Sequence, residues 1–140
     1  VPVLDVFENV QFPLLLARSG SSSKEADEWV THLIDEVGLG DWRRHRPSEL
    51  SGGQRQRVAI ARALATRPRV VLADEPTANL DSTTGEQIIE LMKRMNHDLG
   101  TTFVFSTHDP SIVDIADHII RLHDGEVSEN YRRDVERVVE

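Results

Sequence analysis

The spacing of apolar positions divides the chain into two regimes. Through residue 50 it is helical. Val6, Phe7 and Val10 follow Asp5, a side chain able to cap a helix, and Pro13 should kink or restart that helix before Leu14, Leu15, Leu16 and Ala17. Residues 19–23, Ser-Gly-Ser-Ser-Ser, read as a loop. Ser22 and Glu25 then have capping-box spacing ahead of Trp29, Leu33, Ile34 and Val37, and Gly38 offers a stop. Nothing in this part resembles a strand.

From Ser51 onward the pattern alternates. A helix is predicted from Ser51 to about Thr66, closed by Pro68. Val70, Val71, Leu72 and Ala73 form a continuous apolar run, which predicts a strand buried on both faces of a parallel sheet. A second helix should run from Asp81 to Leu99, with Ile88, Leu91, Met92, Met95 and Leu99 as its apolar stripe and Gly100 as its stop. At that spacing the two methionines read as core filler. Residues 101–105 predict another buried strand. Asp109 then caps a short helix with Pro110 at its first position. Residues 119–122 predict a third strand, and Asp124-Gly125 a hairpin turn into residues 126–128. The charged tail, 129–140, is expected to be helical or frayed. The order helix, strand, helix, strand, helix, strand defines an α/β layered sheet, preceded by an all-α part.

Composition narrows the function classes. The 140 residues suffice for one modest domain. The net charge of −8 argues against a nucleic-acid footprint, although solubility alone would also account for an acidic balance. The chain has no cysteine, hence neither disulfides nor a thiolate metal site, and its histidines show no metal-ligand spacing. No apolar run approaches the ~18 residues of a membrane span. No basic stretch precedes an apolar core, so no signal peptide is expected. The first residue is Val1 rather than Met, so the chain is expected to be processed, truncated or excised. Arg43, Arg44, His45 and Arg46 cluster in a polar stretch that fits a solvated loop better than a binding surface.

Three motifs carry candidate chemistry. In Leu50-Ser51-Gly52-Gly53-Gln54, Ser51 opens a helix with Gln54 at capping-box spacing. Two glycines leave the first backbone N–H groups uncovered at the positive end of the helix dipole, which makes an anion site, though an ordinary capped helix has the same spacing. The strand at residues 70–73 runs into Asp74 and Glu75, adjacent carboxylates at the strand end where α/β sheets bind ligands. One could hold Mg²⁺ through water while the other activates a water; a strand ending in a polar turn at Pro76 is the plainer alternative. His108 follows the next strand, where a histidine can bond a phosphate or orient a water. A lone histidine is more often structural, so its weight comes from its place in the series.

In this order the motifs resemble the ABC ATPases. Residues 50–64 are similar to the family signature and its helix, residues 70–75 to the Walker B strand, Pro76-Thr77-Ala78-Asn79-Leu80-Asp81 to the D-loop, and His108 to the switch histidine. Residues 1–10, with Pro13 to Leu16, look like the segment after the Q-loop in the lipoprotein-release, macrolide-export and peptide-export group. The resemblance implies a partial P-loop NTPase (RecA-like) parallel-sheet core plus an all-α helical subdomain. Residues 1–66 would be the helical subdomain, 67–128 the C-terminal half of the ATPase core, and 129–140 a tail. It implies that Asp74 positions Mg²⁺, that Glu75 is the general base, and that His108 contacts the γ-phosphate. Leu50, Ser51, Gly52, Gly53 and Gln54 would meet ATP bound to the opposite subunit, and Asp81 would cross that interface.

The implied machine is an ATP-hydrolysing transport subunit, cytoplasmic and peripheral at the inner face of the cell membrane. It would work as a head-to-tail dimer with a second ATP-binding subunit and drive transmembrane permease subunits, without spanning the membrane or binding nucleic acid. The chain departs from the family: it contains no G-x-x-x-x-G-K-[ST], the phosphate-binding loop, and it lacks the aromatic adenine platform and the Q-loop glutamine that the family places upstream of Val1. An inactive fragment acting as an interaction module is therefore an alternative. A chromosome-structure or DNA-repair ATPase would need heptad coiled coils, and the sequence has none. Without the phosphate-loop strand, the sheet is expected to gape, to swap strands with another copy, or to repack its last hairpin.

Overall fold

A computed structural model describes residues 1–17 and 23–133. They form two compact units, the first ending at Ser106 and the second beginning at Thr107.

In the first unit, helices α1 (Val6–Ala17), α2 (Ser23–Glu36) and α3 (Gly52–Leu64) are followed by strand β1 (Val70–Asp74), helix α4 (Ser82–Leu99) and strand β2 (Thr102–Ser106). Helix starts follow local side-chain chemistry. Asp5 and Glu8 form a reciprocal box at α1: Glu8 N–H donates to Asp5 Oδ1 at 2.8 Å, and Asp5 N–H to Glu8 Oε1 at 3.1 Å. Asp81 caps α4, and Gly100 at φ 68° closes it in the left-handed conformation. The core gathers Val6 and Val10 of α1, Val30, Leu33 and Ile34 of α2, Val58, Ala61 and Leu64 of α3, and Ile88, Leu91, Met92 and Met95 of α4. Both methionines are core filler, as their spacing predicts.

Four expectations are corrected. Helix α1 runs unbroken through Pro13. The proline removes one bond, to the Asn9 carbonyl, while packing of α1 on α2 and α3 holds the helix together. The strands are covered on one face only. Val71, Ala73, Phe103 and Phe105 pack against the core, whereas Leu72 is 79% exposed, Val70 51% and Val104 50%. Leu99, the last residue before the cap, leaves the α4 stripe and is exposed. The expected helical or frayed tail begins as a strand that continues through Arg132; residues 134–140 lie outside the described residues, as does the Ser22 half of the predicted capping box.

β1 and β2 pair in parallel, in register from Val70 opposite Thr102 to Asp74 opposite Ser106. The second unit holds helix α5 (Pro110–Ile115), capped by Asp109, and an antiparallel hairpin of β3 (His118–His123) and β4 (Glu126–Arg132). Asp124 (φ 51°) and Gly125 (φ 78°) make its two-residue turn. Among the described residues each sheet has two strands.

The Arg43–Arg46 cluster has a structural task. The carbonyls of His45 and Arg43 accept the first amides of α1, from Val6 (2.9 Å) and Phe7 (3.0 Å). Arg44 pairs with Asp5 at 3.6 Å, and Arg43 with Asp35 at 3.5 Å. The stretch therefore caps α1 from outside, satisfying donors that the helix cannot satisfy itself.

Candidate functional site

The start of α3 is built as its sequence predicts. Ser51 is the N-cap: its Oγ accepts from Gln54 N–H at 3.1 Å, and Gln54 Oε1 accepts from Ser51 N–H at 2.9 Å. Ser51 Oγ thus spends a lone pair on the cap and keeps its own hydrogen to donate. The box leaves the amides of Gly52 and Gly53, the first two helical residues, with no intrahelical carbonyl to reach. Leu50 is buried beneath this turn, and Ser51 and Gly52 are exposed. The arrangement offers two N–H donors and a hydroxyl at the positive end of a 13-residue helix, a setting that favours an anion.

Gly53 is buried, for a reason the sequence did not reveal. A Cβ added there would overlap Cγ2 of Thr84, in the first turn of α4. Thr84 also holds Asp81: its Oγ1 donates to Asp81 Oδ1 at 2.5 Å, and its N–H to Asp81 Oδ2 at 3.2 Å. These two bonds, the hydroxyl's first, hold the Asp81 carboxyl below its ordinary 3.8. The structure therefore brings together the α3 start and the α4 start. Leu80 contributes as well, its Cδ2 lying 3.4 Å from the position of a Cβ on Gly52.

At the end of β1, Asp74 is exposed and lies opposite Ser106 in register. Glu75 takes φ 47°, a left-handed conformation, while its N–H donates to Ser106 O at 2.8 Å. A non-glycine residue held there, directly before a proline, costs roughly 1–3 kcal/mol. Asn79 (φ 65°) turns the chain back, and Thr77 lies against Gly85 of α4. The backbone that carries the carboxylate pair is thus held by β2 at Glu75 and, two residues on at Thr77, by α4. His108 is exposed in the second unit, between Thr107 and the Asp109 cap of α5.

The profile of the ABC transporter family matches residues 1–78, and the chain belongs to that family. It is 48% identical, over 96% of its length, to an uncharacterized ABC transporter ATP-binding protein of Thermotoga maritima, 56% of which is covered. It is 46% identical over 89% of its length to the lipoprotein-releasing system ATP-binding protein LolD of Legionella pneumophila, covering 54% of that protein. The macrolide export ATP-binding/permease protein MacB of Rhodopirellula baltica is 44% identical over 95% of this chain and 19% of its own. The chain spans about half the length of the ATP-binding proteins it matches. A dimeric structure of the ATP-binding cassette MJ0796, in a post-hydrolysis state bound to ADP and Pi, superposes with a TM-score of 0.79 at 42% identity, over 94% of this chain and 58% of that one. The fold is accordingly part of an ABC cassette of the P-loop NTPase type.

Proposed function

We propose that this chain supplies the groups of an ABC transporter ATP-binding subunit that act on the γ-phosphate of ATP. The complete subunit hydrolyses ATP in a head-to-tail dimer with a second ATP-binding subunit and drives export through transmembrane permease subunits. The observation that carries the reading is Glu75, a carboxylate kept in a strained backbone at the end of a parallel strand. Strain of this kind concentrates at active sites.

In this reading Glu75 polarises the attacking water as general base, and His108 bonds the γ-phosphate and holds that water. Leu50, Ser51, Gly52, Gly53 and Gln54 present the α3 start to the partner subunit's ATP; Asp81 crosses the interface. The amides of Gly52 and Gly53, which no carbonyl of the helix reaches, fit a phosphate. Asp74, exposed at its strand end, fits a cation held mainly through water. No cluster of three or more His, Cys, Asp or Glu occurs among the described residues, which suits a Mg²⁺ that relies on water and substrate oxygens rather than a protein cage. Mg²⁺, when bound, would neutralise charge on the phosphate oxygens.

Residues 1–66 act as the helical subdomain, 67–128 as the C-terminal half of the ATPase core, and 129–140 as a tail. The subunit sits at the cytoplasmic face of the membrane as a peripheral protein. No helix among the described residues is long and apolar enough to cross a membrane. The lipoprotein-releasing and macrolide-export relatives support the export reading.

A second reading, an interaction module without turnover, draws on the exposed Phe12, Leu15 and Leu16 of α1. One fusion separates the two. With the phosphate-loop half of the Thermotoga maritima relative placed ahead of Val1, the cassette should hydrolyse MgATP. Glu75→Gln should then lower turnover by roughly 10²–10⁴-fold while ATP still binds. Unchanged turnover would remove Glu75 from the mechanism, and an inert parent fusion would favour the second reading. MgATP should bind the 140-residue chain alone only very weakly, and tight binding would refute that expectation.

A further inference from the structure

We infer that Thr84 is a positioning residue whose single rotamer couples the backbone at Gly53 to the carboxylate of Asp81. The side chain has two ends with separate tasks. Its hydroxyl donates to Asp81 Oδ1 at 2.5 Å, and its methyl occupies the space in which a Cβ on Gly53 would lie. Threonine is stiff at χ1, so the two ends turn together. A shift of the α3 start toward α4 pushes the methyl, the rotamer turns, and the hydroxyl leaves Asp81. Conversely, while Asp81 holds the hydroxyl, the methyl stays over Gly53 and sets how closely the two helix starts approach. One residue therefore registers the anion-binding turn of α3 against the D-loop aspartate. The weight of this for ATP hydrolysis rests on the reading of Asp81 proposed above; the coupling itself does not.

The test reads the Asp81 carboxyl by ¹³C NMR titration in the chain itself. Thr84→Val removes the hydroxyl and keeps the shape, so the Asp81 titration should move up toward the ordinary carboxylate range. Thr84→Ser keeps the hydroxyl and drops the methyl, so the titration should stay low. The decisive variant is Gly53→Ala, which does not touch Asp81: by displacing the Thr84 methyl it should raise the Asp81 titration as Thr84→Val does. Gly53→Ala combined with Thr84→Ser should bring it back down, because serine leaves room for the new methyl. An Asp81 titration unmoved by Gly53→Ala would overturn the coupling, and one unmoved by Thr84→Val would overturn the role of the hydroxyl.

In the fused cassette, Thr84→Val should lower kcat about tenfold, the loss of one hydrogen bond's worth of positioning, and leave the KM for ATP within about twofold. An inactive parent fusion would count against the proposed function and leave the titration result standing.

Discussion

Gly53→Ala adds one methyl group to the second residue of α3, where helix propensity and packing make opposite demands. Alanine in a helix is favoured over glycine by roughly 0.5–1 kcal/mol. Against this, the new Cβ falls on Cγ2 of Thr84, a branched side chain whose hydroxyl is already engaged by Asp81. Thr84 can stay and be overpacked, at about 1–3 kcal/mol, or turn and give up its bond. Packing should therefore win, by a net destabilisation of about 1–2 kcal/mol. For a chain of this size that lowers the thermal midpoint by about 3–7 °C, read by circular dichroism. With Thr84→Ser in the background the clash disappears, and Gly53→Ala should then be neutral or stabilising. A rise in midpoint for Gly53→Ala in the wild-type background would refute the argument, since propensity alone would then govern the position.

Two further outcomes follow from the polar contacts. The buried Asn9 donates through Nδ2 to the carbonyls of Leu4 and Asp5, each at 3.0 Å, so Asn9→Ala should cost about 1–3 kcal/mol, measured by urea denaturation. Because the Asp81 carboxyl sits below its ordinary 3.8 when folded, its stabilising effect is complete above about pH 5 and is lost as the pH falls through the lowered folded value. The protection factors of the Thr84 and Gly85 amides, corrected for intrinsic exchange, should fall in that acid window, and Thr84→Val should flatten the dependence.

Features decided by residues close in sequence were legible in advance. The caps at Asp5, Ser51 and Asp109, the stop at Gly100 and the Asp124-Gly125 turn each depend on neighbours within four residues. Features decided by what lies across from an element were not. The apolar run from Val70 matches a doubly covered strand, but coverage is a property of neighbouring layers, and here one face stays open. β4 gave no alternating signal because every one of its residues is exposed. The capping of α1 by Arg43 and His45 joins segments more than 35 residues apart through backbone atoms, which carry no side-chain code. At the candidate site the residue types of the α3 start and the carboxylate pair could be read directly. The left-handed backbone at Glu75 and the place of Thr84 could not, since both depend on how β1 and α3 meet α4.

With the role proposed for Glu75, its backbone would set folding and chemistry against each other. Glycine adopts φ 47° without strain, so Glu75→Gly should leave the chain as stable or more so, by about 1 kcal/mol in urea, while the fused cassette loses turnover. Under selection for stability alone, position 75 would drift toward glycine or asparagine. A lineage released from the need to hydrolyse ATP should therefore record that release first at this residue, before its core changes.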